Sequence, residues 1–327
     1  MSTPALKGPA WVTIRQYQRT LWAAAALAVL ALAVVAGLRI LTAQHPVPPA
    51  QDGVWIGSPD DQWYSTLRWI LEYVGIAAIV LPGVAAVLVA GPMVAREYES
   101  GTYQLSLTQS VSPTAWLRSK LGVATTFALL ATLAVMGVFW LGRLGVREGW
   151  DYRWGDPWAY ATTGITSFAY VIAAVAVGGL VGQLVRRTLL AMAASGLIMA
   201  VVLIGFTSYR WSILPTERLT GPIDSPPRLP RENMFMDSGL LTSSGAPFDQ
   251  AICWEEAQRT PGVDSQEGLW AEAEAQCHAK YDVTAQYIDY HPYAHYWPTQ
   301  LIETGILLAL AALAALAAFR VLRARHP

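Results

Sequence analysis

His291 and His295 stand four apart in the run Asp289-Tyr290-His291-Pro292-Tyr293-Ala294-His295. That spacing puts two imidazoles on one face of a helix, where they can ligate zinc. Two ligands leave the shell incomplete, and Pro292 works against a helix across the pair. The competing reading is an aromatic, polar collar at a membrane interface. The chain's other metal-capable pair, Cys253 and Cys277, is too small for a metal knuckle or a Cys-rich scaffold. In an oxidising compartment such a pair forms a disulfide; the alternative is two free thiols. Nucleotide chemistry has no legible site. A phosphate-binding loop needs a Lys directly after a Gly, whereas Lys7, Lys120 and Lys280 follow Leu6, Ser119 and Ala279. There is no His-Glu-x-x-His zinc motif and no Gly-x-Ser-x-Gly elbow. Four ionisable residues, Arg39, Arg68, Glu72 and Glu303, lie in or beside long apolar runs. Charges there are costly and often functional. Arg68 and Glu72 can pair at their four-residue spacing. All four sit near the ends of their runs, where snorkelling to the interface makes a charge cheap, so a structural role is expected.

The apolar runs define the elements that hold these residues. The chain has 327 residues, 54% of them hydrophobic and only 14% charged, and its mean hydropathy is +0.34. Soluble proteins carry about 25% charged residues, so an ordinary soluble enzyme, a disordered chain and a nucleic-acid binder are excluded. A helix needs about 20 apolar residues to cross the hydrocarbon layer. Six runs qualify: 21–41, 70–94, 121–141, 160–185, 189–206 and 301–319. The first is too long for a signal-peptide core and has no small-residue cleavage site after it. Pro82, Gly178, Gly179 and Gly182 inside these runs are tolerated in membrane helices. Gly178 and Gly182 form a small-xxx-small pair that permits close helix approach.

Charge orients the chain. Residues 1–20, 95–120, 186–187 and 320–327 hold eleven basic residues against Glu97 and Glu99, a net +9, and the rest of the chain carries −10. Loop 43–66 has no Lys or Arg. The positive-inside rule then places both termini in the cytoplasm. Trp11, Ile14 and Tyr17 repeat every three residues, with Arg15 and Arg19 four apart. An amphipathic interfacial helix over 8–20 is expected. The expected fold is an all-α polytopic membrane protein with six transmembrane helices. Its membrane domain would cover 1–206, with a coupling helix-turn-helix at 95–120. A hydrophilic extracellular insert at 207–298 would separate helices five and six, and 299–327 would hold the last span and the cytoplasmic tail. Cys253 and Cys277 both fall in that insert, so the bridged form is expected.

The most distinctive local pattern is Arg96-Glu97-Tyr98-Glu99-Ser100-Gly101-Thr102, followed by Thr108-Gln109-Ser110-Val111-Ser112-Pro113 and Trp116-Leu117-Arg118-Ser119-Lys120. Gly101 marks a turn, and Ser112-Pro113 is a helix start, a capping hydroxyl followed by proline at the first helical position. The competing reading is an ordinary solvated loop. Near the last span a second stretch reads Tyr293…Tyr296-Trp297-Pro298-Thr299-Gln300-Leu301-Ile302-Glu303-Thr304-Gly305.

On these two stretches the chain resembles the ABC-2 family of ATP-binding-cassette permeases, and most closely its actinobacterial branch. The resemblance implies a transmembrane subunit with no nucleotide site or cofactor of its own. Two separate ATPase subunits would bind ATP and Mg and would partner it, together with a second permease half as a homodimer or heterodimer. It further implies that Glu97, Glu99, Gly101 and Thr102 form the turn that meets the ATPase. Arg96, Ser112 and Pro113 would belong to the same coupling element, and Trp116, Arg118 and Lys120 would anchor the return helix at the lipid headgroups. The function implied is export of a hydrophobic or amphipathic compound across the bacterial plasma membrane. Two alternatives stand beside it: a sensor or resistance protein with a ligand-binding outer domain, and a membrane-embedded enzyme acting on lipid-linked substrates.

Overall fold

A computed structural model describes residues 9–45, 62–103, 112–144, 153–230, 232–259 and 269–325. The coupling residues 104–111, Thr108 to Val111 among them, lie outside the described residues, as does Lys7. Among the described residues, six helices are long and apolar enough to cross a membrane. The chain divides into two compact units, Met1–Arg210 with Thr299–Pro327, and Trp211–Pro298.

In the first unit, α1 (Pro9–Gln16) precedes span one, α2 (Gln18–Gln44). Span two begins as α3 (Gln62–Val84), passes through a π-helical segment (Ala85–Ala90) and ends as α4 (Gly91–Glu99). Pro82, which has no N–H to donate to the preceding turn, lies within α3, and the π segment begins three residues after it. Span three is α5 (Pro113–Arg143). Span four is interrupted: a short α6 (Pro157–Thr163) ends at Gly164, and α7 (Thr166–Val185) follows. Arg186, in the left-handed conformation at φ 55°, closes α7, and span five, α8 (Thr188–Tyr209), begins two residues later. The last span is α11 (Tyr296–Arg325). Apart from the interrupted span four, the spanning helices extend beyond their apolar runs, because polar and aromatic residues at the run ends continue the helical hydrogen bonding.

Span four is the hub. Two thirds of its most apolar stretch is buried, against 6% for span one. Its neighbours are the π segment, α4, α5, α8 and α11. Small residues make this possible. A Cβ on Gly178 would stand 2.6 Å from the Ala90 Cβ, and one on Gly182 would stand 2.9 Å from the Gly91 carbonyl oxygen. The Gly178/Gly182 pair therefore serves close backbone packing against span two.

The second unit contains what an all-α reading omits: a four-stranded antiparallel sheet in the order β1-β4-β2-β3. β1 is Glu217–Pro222, β2 Met234–Thr242, β3 Pro247–Phe248 and β4 Val283–His291. Two helices, α9 (Gln250–Gln258) and α10 (Leu269–Lys280), connect β3 to β4 and are joined by the Cys253–Cys277 disulfide. Lys280 Nζ and the Tyr281 hydroxyl both donate to Glu256 Oε1, at 2.7 and 2.8 Å.

Candidate functional site

Two polar clusters stand at opposite ends of the helical bundle. The first surrounds the loop after span two. The helix α4 ends with the Ser100 N–H donating to the Arg96 carbonyl at 2.9 Å. Gly101 then turns the chain at φ +72°, a region that β-carbon-bearing residues avoid. Across the loop, Ser112 is the N-cap of α5 and accepts from the Ala115 N–H at 3.2 Å, with Pro113 at the first helical position. The side chains of Ser100 and Thr102 meet at 2.8 Å. Arg96, Gly101, Thr102 and Arg118 are exposed.

Beneath this turn the packing is dense. Tyr98, Tyr103 and Trp116 form a three-ring cluster with centroids 4.6 to 5.9 Å apart. The cluster lies on Val94, Leu117, Ala318 and Leu322, so the root of the loop is seated on the end of the last span. The Arg186 guanidinium stacks on the Tyr98 ring at 5.5 Å, and Arg325 donates to the Gln183 carbonyl at 2.8 Å.

The acids of this element do not point into open solvent together. Glu97 accepts from Trp116 Nε1 at 2.7 Å through one oxygen and pairs with Lys120 through the other. Trp116 and Lys120 are buried. This corrects the expectation that both would anchor at the headgroups: an ammonium in an apolar surround needs a counterion within the protein, and Glu97 supplies it. Glu99 accepts from the Thr188 N–H at 2.9 Å and from the Thr188 hydroxyl, capping α8 from another helix.

The second cluster lies at the far end. Arg210, where span five ends, donates through Nε and Nη2 to both oxygens of Glu303 in the last span, at 2.8 and 2.9 Å. The hydroxyls of Tyr160 and Tyr170 donate to the same carboxylate at 3.0 and 2.5 Å. Arg210 also stacks over the Tyr160 ring at 4.0 Å. Glu303 is 0% exposed, which corrects the expectation of a snorkelling residue. A buried carboxylate this far from water is stable only when paired and hydrogen-bonded, and four donors meet that need. One turn earlier in sequence, Gln300 fills the gap in span four. Its Oε1 accepts from the Ile165 and Thr166 N–H groups, both at 3.0 Å, and so supplies the cap that α7 lacks. Gly164 is required there, since a Cβ would lie 2.1 Å from the Gln300 side chain. A cleft of about 80 Å³ adjoins the cluster, with Pro82, Leu203, Thr207 and Arg210 in its wall. The cluster is chemically closed: every carboxylate oxygen is doubly engaged and the ion pair is neutral overall.

The remaining residues singled out in the sequence are separate from both clusters. Arg39 bonds the Thr42 hydroxyl at 3.1 Å and the Leu144 carbonyl. Arg68 is exposed and Glu72 half-buried on α3. His291 Nε2 lies 3.0 Å from the Trp211 carbonyl, which can only accept, so His291 is protonated there. Its Nδ1 then accepts from His295 Nδ1 at 3.0 Å. Burial pushes the His291 imidazole below its ordinary value. Among the described residues, no three of His, Cys, Asp and Glu are grouped to hold a metal ion, and the two imidazoles are spent on each other. Sequence reasoning missed Arg210, Tyr160, Tyr170, Gln300 and Thr188. The available signal was the pairing of two lone opposite charges, Arg210 and Glu303, at the adjoining ends of consecutive spans.

No curated protein matches the chain. A family model described as ABC-2 membrane transporter related matches residues 21–210, which is more than half of the sequence and covers spans one to five with the loop cluster. Six apolar helices and that match make this a membrane-embedded component of an ABC transporter, a kind of protein that works with ABC ATPase subunits. The chain belongs to the ABC-2 membrane transporter related family.

Proposed function

We propose that the chain is the permease subunit of an ATP-driven exporter that moves a hydrophobic or amphipathic compound outward across the plasma membrane. In this reading it has no nucleotide site of its own. Two separate ATPase subunits bind ATP and Mg, and a second permease half, identical or related, completes the pathway. Both termini are cytoplasmic and residues 207–298 are extracellular, as the charge partition favours. The observation that carries the reading is the turn and cap at 95–120 rooted on the last span. Gly101 and Thr102 are exposed at the turn, and Tyr103, Trp116 and Leu117 pack with Ala318 and Leu322 beside it. A partner pressing on the Gly101 turn would move packed helices.

One observation favours a second reading, a sensor whose outer domain binds a ligand: the insert is a folded unit with its own sheet and disulfide. Vesicles carrying the chain and its ATPase separate the two. Compound flux that depends on ATP supports export, and ATP turnover that responds to an outer ligand without flux supports sensing. External labelling of single cysteines placed near Asp237 but not near Arg186 tests the orientation.

A further inference from the structure

The two acids of the loop cluster are committed within the chain, and their partners belong to different spans. We infer that Glu97 and Glu99 are positioning residues, struts that fix the end of span two to the starts of spans three and five. A push on the Gly101 turn then moves the three helices as one body. The inference rests on the reading of 95–120 as the ATPase-docking element, and it changes what the acids do there: they brace the element and do not contact the partner.

Glu97 carries the stronger part. Its carboxylate has Trp116 Nε1 on one oxygen and Lys120 Nζ on the other, and the two side chains of the ion pair are 17% and 6% exposed. Swinging the carboxylate outward to a partner would strand a buried ammonium and a buried indole N–H, each of which needs a partner.

Glu99 closes the other side. The first N–H groups of a helix have no intrahelical acceptor, and Glu99 accepts from the first residue of α8 through both N–H and hydroxyl. A negative charge there also suits the helix dipole. The tight Arg186-Arg187 turn is held from the same helix, since Arg186 stacks on Tyr98, the residue between the two acids. Consecutive residues of α4 thus grip α5, the hairpin turn and α8.

The test uses the full chain reconstituted with its ATPase. ATP hydrolysis is followed against ATPase concentration, which separates half-saturation (docking) from maximal stimulation (coupling). Glu97→Lys is expected to lower maximal stimulation about tenfold with half-saturation unchanged within about twofold, and adding Lys120→Glu should restore the maximum to within about threefold of wild type. A partner-contact role gives the reverse: half-saturation rises, and Lys120→Glu, buried within the chain, restores nothing. Glu99 offers a pair of variants that leave the core intact. Glu99→Gln keeps an acceptor for Thr188 and should stimulate like wild type, whereas Glu99→Ala should lose several-fold. If Gln is as poor as Ala, charge toward a partner is what matters and the strut is overturned. If the wild-type chain neither binds nor stimulates the ATPase, the docking assignment itself fails, and the inference falls with it for that separate reason.

Discussion

The bundle carries one carboxylate-centred cluster at each end, and the two are built to opposite rules. At the far end, Glu303 is saturated by four donors from Arg210, Tyr160 and Tyr170 and is closed to solvent. At the loop end, Glu97 and Glu99 each hold one neighbouring element, while the residues around them, Arg96, Ser100, Gly101 and Thr102, remain exposed. A fully satisfied buried pair resists rearrangement, because losing one partner leaves an uncompensated charge. The exposed residues of the turn rearrange at lower cost, because water can replace what they lose. The far end is therefore the fixed point of the bundle, and the loop end is where an external push can enter.

That contrast orders the consequences of substitution. The largest effect belongs to the far end: Glu303→Ala or Arg210→Ala should cost about 3–5 kcal/mol, read as a lowered thermal midpoint in detergent. The double replacement Arg210→Met with Glu303→Leu should recover most of the loss. If the single variants melt like wild type, the fixed-point reading is broken. The disulfide of the insert comes next. Replacing Cys253 and Cys277 with Ser should destabilise the insert by about 3.5 kcal/mol on the chain-entropy argument, opening 211–298 to proteolysis while the spans stay protected. Co-melting of the spans would contradict the division into two units. At the loop end, Glu97→Gln should cost about 1–3 kcal/mol, since it weakens two bonds without opening a cavity. A loss equal to that at Glu303 would erase the contrast between the ends.

Acid should act weakly and on the insert. Glu256 is held below the ordinary carboxylate value by hydrogen bonds from Lys280 and Tyr281, and Asp289 by its hydrogen bond from Arg218. Lowered folded values mean that their contribution is complete above the ordinary carboxylate pKa of about 4 and is lost as pH falls through the folded values. The insert's resistance to an acid-active protease should fall slightly below that point. An unchanged digestion rate would show that these exposed bonds contribute nothing.

The sequence shows clearly where the membrane is crossed, because a run of twenty apolar residues has few other uses. It shows the turn at Gly101 and the cap at Ser112 for a similar reason: both depend on one residue's local chemistry. The far cluster is hidden because its members come from four elements and meet only in three dimensions. Glu303 is close to the end of its run, which suggests a peripheral place, and Arg210 falls four residues past the run 189–206, within the insert expected at 207–298. The break in span four is foreshadowed by Gly164 but requires Gln300, more than a hundred residues away, to make sense. The sheet is hidden because β1 is short, mostly exposed and ends in Gly221 and Pro222, which strands disfavour, and because β4 mixes polar and aromatic residues on both faces, which blurs the alternation that marks a strand. The partners of Glu97 were present in the motif itself, yet spacing alone could not distinguish a Lys facing headgroups from one facing a carboxylate.

The central claim is that the exposed turn at the loop end receives the ATPase, and the most direct measurement is ATPase co-purification with the wild-type chain and with Gly101→Val at matched membrane expression. A β-branched residue cannot hold φ +72° without strain, so the turn at Gly101 is distorted while the struts and the far cluster are untouched. The account predicts stable co-purification with wild type and a loss of about tenfold or more with Gly101→Val, a difference of about 1.4 kcal/mol in binding, at an unchanged thermal midpoint of the spans. Equal recovery of the ATPase with both chains, or none with wild type, would contradict it.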